Sequence, residues 1–150
     1  MKKWSREIEI NSSIEHVWSY LDGPLEQMQK IMPQVVENQP VTITKDVVGS
    51  IYRQKYKEGK RIEEYDVHTL EYSNQPNEKK LKIGFTLANC FEITAFYELR
   101  RVDERKTKLR YTVTNNALKW YAKLILVFAT DKVVVSFLEN VKKIAESEAP

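Results

Sequence analysis

Between Val35 and Asn115, apolar and polar residues alternate through six segments whose connections are too short for a parallel crossover. The breaks fall at Asp46–Gly49, Glu58-Gly59, Asn74-Gln75-Pro76-Asn77, Ala88-Asn89 and Asp103–Lys106, each rich in turn formers or charge. A parallel connection needs a dozen residues or more, so neighbouring segments are predicted to pair antiparallel. Leu81, Ile83, Phe85 and Leu87 alternate with polar or small residues, as do Phe91, Ile93, Ala95, Tyr97 and Leu99, and then Leu109, Tyr111 and Val113. Each strand thus has one apolar face, and the sheet one dry side and one wet side. Only the helical stretch running to about Glu148 is long enough to cover the dry side.

Lys3 to Ile10 reads as a first strand. Asn11-Ser12-Ser13 then suits a helix N-cap, and Ile14, Val17, Trp18 and Leu21 repeat at helical spacing. This face makes Trp18 a buried anchor. Asp22-Gly23-Pro24 stops the first helix, and Leu25 to Ile31 makes a second that Pro33 closes. The predicted order is β-α-α-β-β-β-β-β-β-α, an α+β fold of seven antiparallel strands closed by a helix of at least five turns, with residues 1–150 as one domain.

Two local features bear on what faces inward. An even-length turn at Glu58-Gly59 puts Tyr52, Gln54 and Tyr56 on one face with Tyr65 and Val67. Ile51, Arg53, Lys55 and Lys57 then share the other face with Ile62, Glu64, Asp66 and His68; an odd turn inverts the assignment. In the terminal helix, Lys119, Lys123 and Thr130 occupy the sector that Val134, Phe137, Val141 and Ile144 occupy later. The apolar face rotates by roughly half a turn near Thr130-Asp131-Lys132, which one straight amphipathic helix cannot satisfy. A bend, or an enclosed segment around Leu124–Phe128, is expected; it is either a mobile lid or a plain kink.

Composition removes several functions. Net charge is only +3 and both signs are interspersed, with no basic helix or aromatic RNA-reading signature, so nucleic acid is not an expected partner. Cys90 is the one cysteine and reads as a small core residue. Two histidines, His16 and His68, on different elements make neither a metal site nor a Ser-His-Asp constellation, and no metal is expected. No Gly-rich phosphate loop is found, and no cofactor is expected. The charged start lacks the apolar stretch of a signal peptide, and Leu124 to Ala129 is too short to span a bilayer. A cytoplasmic protein without stable membrane insertion is expected.

The run Asn11-Ser12-Ser13-Ile14-Glu15-His16-Val17-Trp18-Ser19-Tyr20-Leu21-Asp22, the six successive strands and the long closing helix together resemble the helix-grip superfamily. That superfamily includes START lipid-transfer domains, pollen-allergen proteins and the bacterial polyketide cyclase/dehydrase group. The likeness spans essentially the whole chain, although only the Val17-Trp18 motif is local, and it marks packing rather than chemistry. It implies a cavity between sheet and last helix that takes a lipid, polyketide or quinone-like molecule.

The expected ligand contacts are Tyr52, Gln54, Tyr56, Tyr65, Phe85, Phe91, Ile93, Tyr97 and Tyr111 on the sheet, with Tyr121, Ile125 and Phe128 on the helix. Tyrosines supply apolar area with a hydroxyl to orient a ligand. Ala95 reads as a position where a larger side chain would fill the cavity. Binding a small apolar ligand without catalysis is the favoured function; catalytic residues and oligomeric state are unassigned. The alternatives are a cyclase- or dehydratase-like enzyme, recruiting Glu63 or Glu71 by parity, and a chaperone- or ribosome-associated protein-binding module.

Overall fold

The computed structural model describes residues 1–149. Strand β1 (Lys2–Ile10) leads into helices α1 (Ile14–Leu21) and α2 (Leu25–Ile31). Six strands follow: β2 (Val35–Thr42), β3 (Ile51–Glu58), β4 (Arg61–Asn74), β5 (Glu78–Leu87), β6 (Phe91–Asp103) and β7 (Lys106–Ala117). All pair antiparallel in the order β1-β7-β6-β5-β4-β3-β2, so only β1 is out of sequence. The predicted elements and their order are those observed, except that the terminal helix is two helices. These are α3 (Trp120–Leu126) and α4 (Lys132–Glu148), the latter 17 residues and so short of five turns.

The turn between β3 and β4 has two residues, Gly59-Lys60, with Gly59 in the left-handed region at φ 61°. That even length pairs Tyr52 with Val67, Gln54 with Tyr65 and Tyr56 with Glu63. Tyr52, Gln54, Tyr56, Tyr65 and Val67 therefore share the inner, helix-facing side. The outer side carries opposite charges in register, with Arg53 on Asp66 at 2.9 Å and Lys55 on Glu37 at 3.1 Å.

One irregularity escapes parity. Thr69 pairs with Ile83 but Glu71 with Lys82, leaving Leu70 as a bulge. Glu71 consequently lies outside, with its carboxylate 3.5 Å from Lys82, and not on the inner face. Leu70 covers Gly84, where an added Cβ would stand 3.0 Å from Leu70 Cδ1. The mid-strand glycine thus accommodates a bulge on the neighbouring strand.

The core fills the end of the inner face beneath α4. Val134, Leu138, Val141 and Ala145 pack against Ile10, Leu99 and Leu109, with α1 adding Ile14, Val17, Trp18 and Leu21. Trp18 is 6% exposed, tilted against Tyr72 at 5.9 Å between ring centroids. Ser13 caps α1 by accepting the His16 N–H at 3.2 Å, and Tyr20 hydrogen-bonds His16 and Glu148, joining α1 to the end of α4. Cys90 sits in the β5–β6 turn, not within a strand, and packs under α3.

The rotation of the apolar face near Thr130 is realised as a break. Two side chains from β1 hold it. Lys2 Nζ donates to the carbonyl oxygens of Val127 and Ala129, 3.0 Å each, at the end of α3, where a cation is favoured. Arg6 pairs with Asp131 at the start of α4.

Candidate functional site

Two regions of the sheet's inner face differ. Under α4, Tyr97 and Tyr111 stack at 5.0 Å, and Phe137 lies 4.4 Å from Tyr111 and 5.8 Å from Tyr97. Ala95 is buried in the same cluster, so a larger residue there would overpack a solid core and not fill a cavity. Toward the opposite end of the strands, Tyr52, Gln54, Tyr56, Tyr65, Phe85 and Ile93 are all half-buried. Met28 of α2 borders them, with Gln54 Nε2 3.9 Å from its sulfur. Helix α3 lies over the end of β7 on the other side, seated through Ala122 and Leu126 against Ala117, Trp4 and Phe91.

This half-buried stretch of the β3–β6 inner face, bordered by Met28 of α2 and ending toward α3, is the candidate groove. Of the expected contacts, Tyr52, Gln54, Tyr56, Tyr65, Phe85 and Ile93 come together along it. Phe91 packs beneath α3, and Tyr97 and Tyr111 belong to the core. Tyr121, Ile125 and Phe128 are exposed on α3 and the turn after it. The expectation of an enclosed Leu124–Phe128 segment is therefore corrected: α3 buries one narrow stripe and leaves the rest in water.

The sheet is also split. β4 pairs with β5 only from His68↔Gly84 to Asn74↔Lys79, so Arg61–Val67 and Phe85–Leu87 diverge. A cleft of about 750 Å3 opens there on the outer side. Its walls carry Arg53, Asp66, His68 and Glu92, and Tyr65, Phe85 and Ile93 reach it from the inner side. Tyr65 and Phe85 stack across the divergence at 5.0 Å and 25°. Groove and cleft therefore meet at these two rings. Parity reasoning missed the four wall residues because it treats strand pairing as complete. The Arg53 hydrogen bond holds the Asp66 carboxyl below the usual carboxylate range.

Buried phenols give the inner face a pH signature. Burial, with Tyr56 and Glu63 adding to it, pushes Tyr65 up to about 12, and burial pushes Tyr111 to about 12. Burial likewise carries Tyr97 well above the ordinary 10.0, with the neighbouring Tyr111 contributing. A phenol with a raised pKa stays neutral in the folded state while the unfolded chain ionises. Its stabilisation is complete below pH 10 and is lost as pH rises towards 12. Phenolate absorbance should accordingly show some of the eight tyrosines titrating only with alkaline unfolding, and Tyr65→Phe should weaken that pH dependence. All eight titrating together near pH 10 in the native protein would contradict the burial described.

Among the described residues, no group of three or more His, Cys, Asp or Glu side chains is placed to hold a metal ion. Among the same residues, no helix is long and apolar enough to cross a membrane.

An antiparallel seven-stranded sheet gripping a C-terminal helix, with two short helices after its first strand, is the helix-grip fold. Solved structures of that fold superpose on nearly the whole chain. The Zhui aromatase/cyclase from a Streptomyces species matches with TM-score 0.72 at 12% identity, over 99% of each chain. A START superfamily protein from Mycobacterium smegmatis matches with TM-score 0.70 at 13% identity, over 98% of this chain and 96% of its own. Norcoclaurine synthase from Thalictrum flavum, in complex with dopamine and hydroxybenzaldehyde, matches with TM-score 0.65 at 13% identity, over 99% of this chain and 88% of its own. No family model matches the sequence, and no curated protein matches it. At such identities the likeness is one of fold, which supplies a scaffold and not a reaction.

Proposed function

We propose that the protein binds a small apolar ligand, lipid-, polyketide- or quinone-like, in the groove between the β3–β6 inner face and α3, without transforming it. One observation carries this reading. Tyr52, Tyr56, Tyr65, Phe85 and Ile93 stand half-buried at one end of an inner face whose other end is solidly packed. Large apolar side chains only partly covered by the protein, beside directional groups such as Gln54 and the tyrosine hydroxyls, are what a ligand site requires. The similar structures include proteins described as a synthase with bound aromatics and an aromatase/cyclase, which agrees with an aromatic-lined groove. Acid–base chemistry is less well supported: Glu63 faces the groove, but its carboxylate pairs with Arg61.

An apolar fluorescent dye and a medium-chain fatty acid should bind at micromolar concentration and compete with each other. Ile93→Arg should abolish both while the protein melts close to the parent, because Ile93 borders open space through which a long side chain can reach water. No dye binding at high micromolar concentration would remove the carrier reading and favour a protein-binding role.

A further inference from the structure

Helix α3 has two apolar sides. Ala122 and Leu126 face β7 and are buried. At 100° per residue, Trp120 and Leu124 point the opposite way, and Phe128 continues their stripe in the turn beyond. They are 75%, 60% and 84% exposed, with Ile125, Val127 and Val133 beside them also exposed. A helix with apolar residues on two opposite faces normally lies in a core or in lipid. This one is covered on one side only, and a contiguous exposed apolar patch marks an interaction surface.

Three occupants are conceivable, and the residues distinguish them. The groove is not one, because α3 is seated through Ala122 and Leu126 while Lys2 and Arg6 hold the α3–α4 junction, keeping the patch outward. A second copy fits poorly. From Leu118 to Lys132 the chain has Lys119, Lys123 and Lys132, and its one acidic residue, Asp131, is taken up by Arg6, so a two-fold contact would set lysines against their own copies. An anionic lipid surface fits both features. Tryptophan, phenylalanine and leucine enter the headgroup–acyl boundary, and flanking lysines meet the lipid phosphates.

We propose that α3 and the α3–α4 turn dock the protein on the surface of an anionic phospholipid bilayer, with Trp120, Leu124 and Phe128 entering the boundary region and Lys119 and Lys123 facing the headgroups. The docking is peripheral. It does not require the groove to be occupied, so the dye titration and the membrane assay can fail separately.

The test is cosedimentation with vesicles of phosphatidylcholine alone and of phosphatidylcholine with phosphatidylserine, together with tryptophan fluorescence. The parent should bind the serine-lipid vesicles preferentially, with a blue shift from Trp120 and weakening in high salt. The double substitution Leu124→Asp with Phe128→Asp should lower the partition about tenfold or more, as expected when two apolar anchors are replaced by charge. Lys119→Glu with Lys123→Glu should remove the lipid preference. Ile62→Asp, at an exposed apolar position on the β3–β4 hairpin, should bind as the parent does. Unaltered melting of each variant confirms that the fold is intact. The proposal is overturned if the parent ignores both vesicle types, or if Ile62→Asp is equally impaired. It is also overturned if the patch substitutions instead dissolve a concentration-dependent dimer, or abolish dye binding while vesicle binding is unchanged.

Discussion

Replacing Trp18 with alanine is expected to destabilise the protein by about 3–5 kcal/mol, the range for large aromatic truncations in cores. For a chain of this length that lowers the melting temperature by roughly 10 °C. The ring sits between α1 and the inner face, against Tyr72 and beneath the ammonium of the buried Lys79 at 6.0 Å. Truncation opens a void and also strips one of Lys79's two partners, leaving the Asn74 Oδ1 at 2.6 Å. The indole N–H has no partner among the described residues, so Trp18→Phe should lose area without breaking a hydrogen bond and cost clearly less than Trp18→Ala. Chemical denaturation of the two variants checks both the size and the order. Equal losses, or none, would mean that α1 is seated differently.

The second large effect is expected at Phe137. Its ring closes the core where the groove begins, against both Tyr97 and Tyr111. Phe137→Ala should cost about 3 kcal/mol, the lower end for a phenylalanine truncation because the residue is only half-buried. The vacated space adjoins the tyrosine row, so dye affinity should be retained or increase while stability falls. Stability and binding falling together would place Phe137 within the ligand contact itself.

Much of this arrangement is legible in single residues. The sides of β3 and β4 follow from one two-residue turn, because side-chain direction has a period of two and Gly59-Lys60 fixes the parity. The break in the terminal helix is legible in the conflict between Lys123 and Phe137 for one angular sector, since a helix cannot change its buried face without interruption. Other features are not local. Glu71 is misassigned because the bulge at Leu70 shifts parity, and nothing in the alternation around it announces the extra residue. The separation of β4 from β5, and with it the cleft beside Asp66 and His68, depends on how two hairpins diverge after Gly84. The exposure of Leu124 and Phe128 is hidden for a related reason. Apolar composition states a preference for cover, but whether cover exists is decided by elements far along the chain.

The placement of β1 governs the order in which the molecule can assemble. Strands β2 to β7 each pair with their neighbour in sequence, a meander of hairpins whose loops close quickly. β1 joins the opposite edge, pairing Lys2 with Asn115 and Ile10 with Thr107, and α4 packs on it. Closing a loop that long costs entropy before any contact repays it. The meander can form while its free edge on β7 still lacks a partner, and until β1 arrives α4 has only the β6–β7 part of its seat. The β1–β7 pairing is therefore the long-range contact that completes both the sheet edge and the platform for α4, the kind of contact that slows the folding of sheet proteins.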